Sequence, residues 1–135
     1  MRNPVVLCLA ALLGALAVAQ AASNEQIRKT GEAWLALVDY QKYPDSWNGA
    51  SSYFRSQVPQ ARWVEMAQHA RTPLGRLTSR KFVRIAFKKS PPGAPDGNYA
   101  VLQFESSFQN KAKAVETVTL MLDHGQWKTA GYFIK

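Results

Sequence analysis

Residues 80–89 read Arg80-Lys81-Phe82-Val83-Arg84-Ile85-Ala86-Phe87-Lys88-Lys89, or "RKFVRIAFKK". Apolar and charged residues alternate here with a period of two, so the stretch predicts a strand. Val83, Ile85 and Phe87 fall on one face, and Arg80, Arg84 and Lys88 on the other. Upstream the period is helical. Ile27, Gly31, Trp34, Leu35 and Val38 recur at helix spacing and predict an amphipathic helix over about 24–41, with Ser23 and Gln26 as a capping box. A second, short helix is expected from Trp47 to Phe54. A third starts after Pro59, faces the core with Trp63, Met66, Ala67 and Ala70, and is ended by Thr72-Pro73-Leu74-Gly75.

Downstream the period stays at two. The loop "SPPGAPDGN" (90–98) is rich in turn formers. In "YAVLQFESSF" (99–108), Leu102, Phe104 and Phe108 share a side opposite Tyr99, Val101, Gln103 and Glu105. "VETVTLMLD" (115–123) is a third strand, Asp123-His124-Gly125 a tight hairpin, and "QWKTAGYFIK" (126–135) a fourth strand. Helices followed by four consecutive strands give an α+β domain, with the helices on one face of an antiparallel meander.

The first residues carry a different message. Arg2 precedes an uncharged apolar run from Val5 to Val18, and small residues follow at Ala17, Ala19 and Ala21. That is the layout of a secretory signal peptide over 1–21, cleaved after Ala21 or Ala19, which implies a periplasmic or secreted protein. The run is shorter than the roughly 18 apolar residues of a membrane span. A retained anchor is the alternative. Cys8 is the only cysteine, and Leu7 before it does not fit a lipoprotein site. Residues 22–135 would then form one domain without thiols or disulfides. Removing Arg2 leaves sixteen basic residues against nine acidic ones, a net charge of +7. Such a balance permits contact with anionic surfaces.

The blocks "GEAWLALVD" (31–39), "TPLGRLTSR" (72–80), "PPGAPDG" (91–97), the two strands after it, and "WKTAGYFIK" (127–135) resemble the bacterial secreted family called domain of unknown function 4019. The resemblance covers residues 30–135. It implies a small exported protein of Gram-negative bacteria and no particular reaction. The element order is similar to cystatin-like and nuclear-transport-factor-like folds, in which a curved sheet wraps a long helix. Folds of that kind host enzymes, carriers and interaction modules alike.

Several residues are candidates for chemistry. Glu116 shares strand parity with Val118, Leu120 and Leu122, so it is a carboxylate on an apolar face. A general base needs a pocket, a shifted pKa and an electrophilic partner. Glu116 and Glu105 are the candidates for an isomerase-type enzyme. Tyr99, Gln103, Thr117 and Thr119 supply polar groups on the same two strands, and Trp47 an aromatic wall, for a ligand pocket. The simpler reading pairs Glu116 with Lys111, Lys113 or backbone N–H groups, because an unpaired buried carboxylate is too costly to keep. Arg80, Arg84 and Lys88 form a basic stripe that suits an anionic surface, although charges on a sheet edge also discourage aberrant pairing. His69 and His124 are isolated, so no metal site is expected. No phosphate loop or dinucleotide fingerprint occurs, no cofactor is expected, and nothing points to nucleic acid. The reading preferred from sequence is a non-enzymatic module that binds a small ligand or an envelope protein.

Overall fold

The computed structural model describes residues 24–135. The expected signal peptide, Cys8 and the Ser23 cap lie outside the described residues. Helix α1 covers 24–39, followed by α2 (Tyr43–Asn48), α3 (Ser52–Gln57), α4 (Gln60–Arg71) and a 3-10 turn, Thr72–Leu74. Four strands follow: β1 (Leu77–Lys89), β2 (Asn98–Phe108), β3 (Lys111–Asp123) and β4 (Gln126–Ile134). They form one antiparallel sheet in the order β1-β2-β3-β4. The fold is α+β, helices first and meander second. Among the described residues, no helix is long and apolar enough to cross a membrane.

Helix α1 buries the stripe expected of it, with Ile27, Trp34, Leu35 and Val38 all in the core. It crosses the sheet at Gly31, where an added Cβ would lie 3.0 Å from Leu102 Cδ2. The expected second helix is two short ones. Ser51 ends the break between them and caps α3, its hydroxyl accepting from the Phe54 N–H at 3.1 Å. Ser46 is the polar joint of the helical layer: its carbonyl accepts from Trp34 Nε1 at 2.9 Å and its hydroxyl from Trp63 Nε1 at 2.8 Å. Both buried indole donors are therefore satisfied. In α4 the buried face is Trp63, Ala67 and Arg71, an i, i+4, i+8 row. The apolar expectation of Met66 and Ala70 there is corrected: both are exposed, Met66 by 48%. Size and charge misled the pattern, because the row that faces the sheet ends in an arginine.

The sheet's two faces follow from its register. Residues paired directly across antiparallel strands share a face. Phe82, Ile85 and Phe87 on β1 oppose Phe104, Leu102 and Ala100, and these oppose Glu116, Val118 and Leu120 on β3. That is the inner face, packed on the helices. A β-bulge at Val83 interrupts β1 between Phe82 and Arg84. It is one extra residue, and it reverses the parity of everything before it. Val83 is accordingly exposed, while Phe82 and Ile85 pack against the core; Phe87, further along the strand, is on the inner side by register but 49% exposed. Arg80, expected on the outer face with Arg84 and Lys88, points inward. The hairpin after β3 has positive φ at both His124 (50°) and Gly125 (81°), as a two-residue turn of the primed type requires.

Candidate functional site

The inner face carries one buried polar cluster, and Glu116 is its centre. Strand β3 places it between Ala114 and Val118 on the core side, where it has 0% exposure. Neighbouring strands aim donors at it from both sides. Arg80 on β1 reaches over β2, with Nη2 and Nε at 2.7 and 2.8 Å from Glu116 Oε1. Ser106, paired with Arg80 across β1 and β2, donates its hydroxyl to the same oxygen at 2.5 Å. Tyr132 on β4 donates its phenol to Oε2. Lys111 and Lys113 take no part in these contacts.

A second carboxylate ties the cluster to the helices. Asp39, at the end of α1, accepts from Arg80 Nη1 at 2.7 Å and Nη2 at 2.9 Å, and from Arg71 Nη2 at 2.7 Å. Arg71, 5% exposed, lies over the Phe108 ring at 4.7 Å and brings Nη1 to 3.9 Å from Glu116 Oε2. Two guanidinium groups thus face two carboxylates in a charge-balanced set joining α1, α4, β1 and β3. Burial alone would raise the Asp39 carboxyl, but hydrogen bonds and charge from Arg80 and Arg71 outweigh it and hold it below its ordinary 3.8. Burial works against the charged form of Arg80, and Asp39 and Glu116 overcome it, so Arg80 stays protonated throughout. Burial, with the charge of Glu116 added, pushes the Tyr132 phenol far up.

What this set can do is hold layers together. Both Glu116 oxygens are occupied by donors, and aromatic rings pack beside Tyr132. Trp34 lies 5.8 Å from Trp63 and 5.5 Å from Tyr132, and Phe54 lies 5.3 Å from Trp63, centroid to centroid. A cavity of about 340 Å³ beside the end of α1 reaches Asp39, Tyr43 and Arg71 but not Glu116. A cavity of about 810 Å³ runs along the exposed side of α4 past Met66, His69 and Pro73, away from the buried charges. Among the described residues no group of three His, Cys, Asp or Glu side chains is placed to hold a metal.

The other candidates lie elsewhere. Tyr99, Gln103, Thr117 and Thr119 come together, but on the outer face of the sheet, by the same register that puts Leu102 and Val118 inside. Trp47 does not join them. It is part-buried in α2, donates to the Val58 carbonyl at 2.7 Å, and packs on the core. Glu105 is exposed on the outer face, opposite Lys81. Arg84 and Lys88 are exposed there too, while Arg80 is 12% exposed and spent on Asp39 and Glu116. Asp39, Arg71, Ser106 and Tyr132 were not singled out from sequence. Their signal is positional: Asp39 follows Leu35 by four residues and Arg71 follows Ala67 by four, so each ends an apolar helix row.

The sequence profile of the family described as "Protein of unknown function (DUF4019)" matches residues 30–132. No curated protein and no solved structure matches the chain.

Proposed function

The chain belongs to the DUF4019 family of proteins of unknown function, and on that footing we propose that it is an exported, non-enzymatic binding module of the bacterial envelope. One observation carries this reading: Glu116, the carboxylate at the centre of the inner-face cluster, is used up by structure. Glu116 is closed off by Arg80, Ser106 and Tyr132, and the Trp34 and Trp63 rings pack beside Tyr132. A general base has to come within hydrogen-bond reach of the proton it removes. Glu105, the other candidate base, is exposed on the outer face, opposite Lys81. Binding by a surface needs neither group. The apolar start of the chain, with small residues at Ala19 and Ala21, supports export.

Native mass spectrometry of the protein purified gently from its own envelope fraction tests the reading. An apo mass, alone or with a second chain, is the expected result. A bound small molecule lost on substitution of Glu116 would return that residue to a ligand or catalytic role and overturn the proposal.

A further inference from the structure

The outer face of the sheet is described by four register rows running from β1 to β4. They are Lys81–Glu105–Val115–Lys135, Arg84–Gln103–Thr117–Phe133, Ala86–Val101–Thr119–Gly131 and Lys88–Tyr99–Met121–Lys128. These residues stand outside the cluster under the helices, but Tyr99 and Met121 in the last row are themselves buried, Tyr99 donating to the Pro95 carbonyl at 2.7 Å, so the open face is the first three rows with Lys88 and Lys128 at the margin. The charges have an order. Lys81, Arg84 and Lys88 line the β1 edge and Lys128 and Lys135 the β4 edge; within these rows Glu105 is the one charge on the middle strands, and Lys113 on β3 lies just beyond them. Apolar groups break through the same surface: Phe133 is 62% exposed, and Val83, the bulge residue, 45%. At one end a shallow cavity of about 570 Å³ gathers Ser79, Lys81, Ser107, Lys113 and Lys135, with Glu105 also in its wall.

We propose that this face docks on an anionic lipid surface, with headgroup phosphates meeting the lysines and Phe133 entering the interfacial layer. The inference rests on the surface-module reading above and names its partner. Lipid is favoured over protein by the choice of cation. Lysine is depleted in the cores of protein interfaces, whereas lysines around an exposed aromatic suit a negatively charged membrane surface. The bulge at Val83 helps: it turns Arg80 inward to the core and leaves Arg84 and Lys88 outside, so the face keeps its charge while Glu116 keeps its partner.

The test is co-sedimentation of the protein with vesicles of phosphatidylcholine alone and of phosphatidylcholine mixed with phosphatidylglycerol. Binding is expected only to the anionic vesicles, and it should weaken steeply with salt. The combined variant Arg84→Glu, Lys88→Glu, Lys128→Glu should bind about a hundredfold more weakly or worse. Phe133→Ser should weaken binding without changing the salt dependence, and Arg62→Glu on the exposed side of α4 should leave it unchanged. Circular dichroism confirms that each variant is folded. Equal binding to neutral vesicles, no binding to either, or full binding by the charge-reversed variant overturns the proposal. No vesicle binding, with an acidic protein held by this face instead, overturns the lipid partner and leaves the binding module standing. A small molecule held at Glu116 would overturn that module reading instead.

Discussion

Arg80 Nη2 and Glu116 Oε1 stand 2.7 Å apart across an intervening strand, with the glutamate wholly buried. The contact exists because of one extra residue. Without the bulge at Val83, Arg80 would share the outer face with Arg84, and Glu116 would lie in the core with no arginine from β1. The bulge, the arginine and the buried carboxylate are therefore one structural device. Breaking a buried pair from one side leaves an uncompensated charge, which costs about 3–5 kcal/mol. Arg80→Met should lower stability by that amount in urea denaturation. Adding Glu116→Leu to the same chain should restore part of the loss, because an apolar pair needs no partner. A double variant no more stable than Arg80→Met would show that the pair is not coupled.

Tyr132 gives a second handle on the same carboxylate. Its phenol is buried and faces Glu116, and both effects favour the neutral form. The sign follows: the folded value lies above the unfolded value of about 10, so in alkali the unfolded state loses its proton first. Stability should fall as pH rises past that value. In an alkaline titration, Tyr132 should ionise only as the protein unfolds, and Tyr132→Phe should remove that step from the tyrosinate absorbance. The substitution also strips Glu116 Oε2 of its donor and should cost about 1–3 kcal/mol at neutral pH. Ionisation of Tyr132 in the folded protein would contradict the burial described.

The element order was legible in the sequence because each element keeps one hydrophobic period. The α1 stripe at Ile27, Trp34, Leu35 and Val38 and the β2 alternation at Leu102, Phe104 and Phe108 both lie as expected. The cluster was not legible as a cluster. Glu116 stood out because it interrupts an apolar face, but its partners come from β1, β2, β4 and the ends of two helices. Alternation cannot register a bulge, so Arg80 was grouped with Arg84 and Lys88. Hydropathy cannot register a buried cation, so Arg71 was passed over for Ala70. The polar residues Tyr99, Gln103, Thr117 and Thr119 were grouped as lying on two neighbouring strands, and the register sets them together on the outer face. Parity alone does not say which face meets the helices, and register against the core-packed strands decides it.

Acid should loosen the junction between helices and sheet. Asp39 is held below its ordinary value because Arg80 and Arg71 outweigh the effect of burial. Asp123 is held down first by the backbone N–H of Ser52, at 2.8 Å. For a depressed carboxyl the stabilisation is complete above the unfolded value and is lost as pH falls through the folded one. The urea midpoint should therefore drop between about pH 5 and pH 2. Asp39→Asn should be less stable at neutral pH and show a shallower acid dependence. An unchanged acid slope in that variant would mean that Asp39 is not held down by the two arginines.

Gly31 sets how closely α1 lies on the sheet. A Cβ there would meet Leu102 Cδ2 at 3.0 Å, and Leu102 is fully buried between neighbours that leave it little room. Two effects oppose each other in Gly31→Ala. Alanine favours the helix by about 1 kcal/mol, while the tight contact with Leu102 removes some or all of that gain. The net change should be small. Gly31→Val adds two methyl groups toward the same side chain and has no comparable propensity gain, so overpacking of about 1–3 kcal/mol should dominate. The ordering of urea midpoints, with wild type near Gly31→Ala and both above Gly31→Val, is the outcome to look for. If Gly31→Val matched wild type, α1 would have to sit further from Leu102, and the Asp39 contacts at its far end would have to lengthen with it. That shift would be visible as a weaker acid dependence in the same variant.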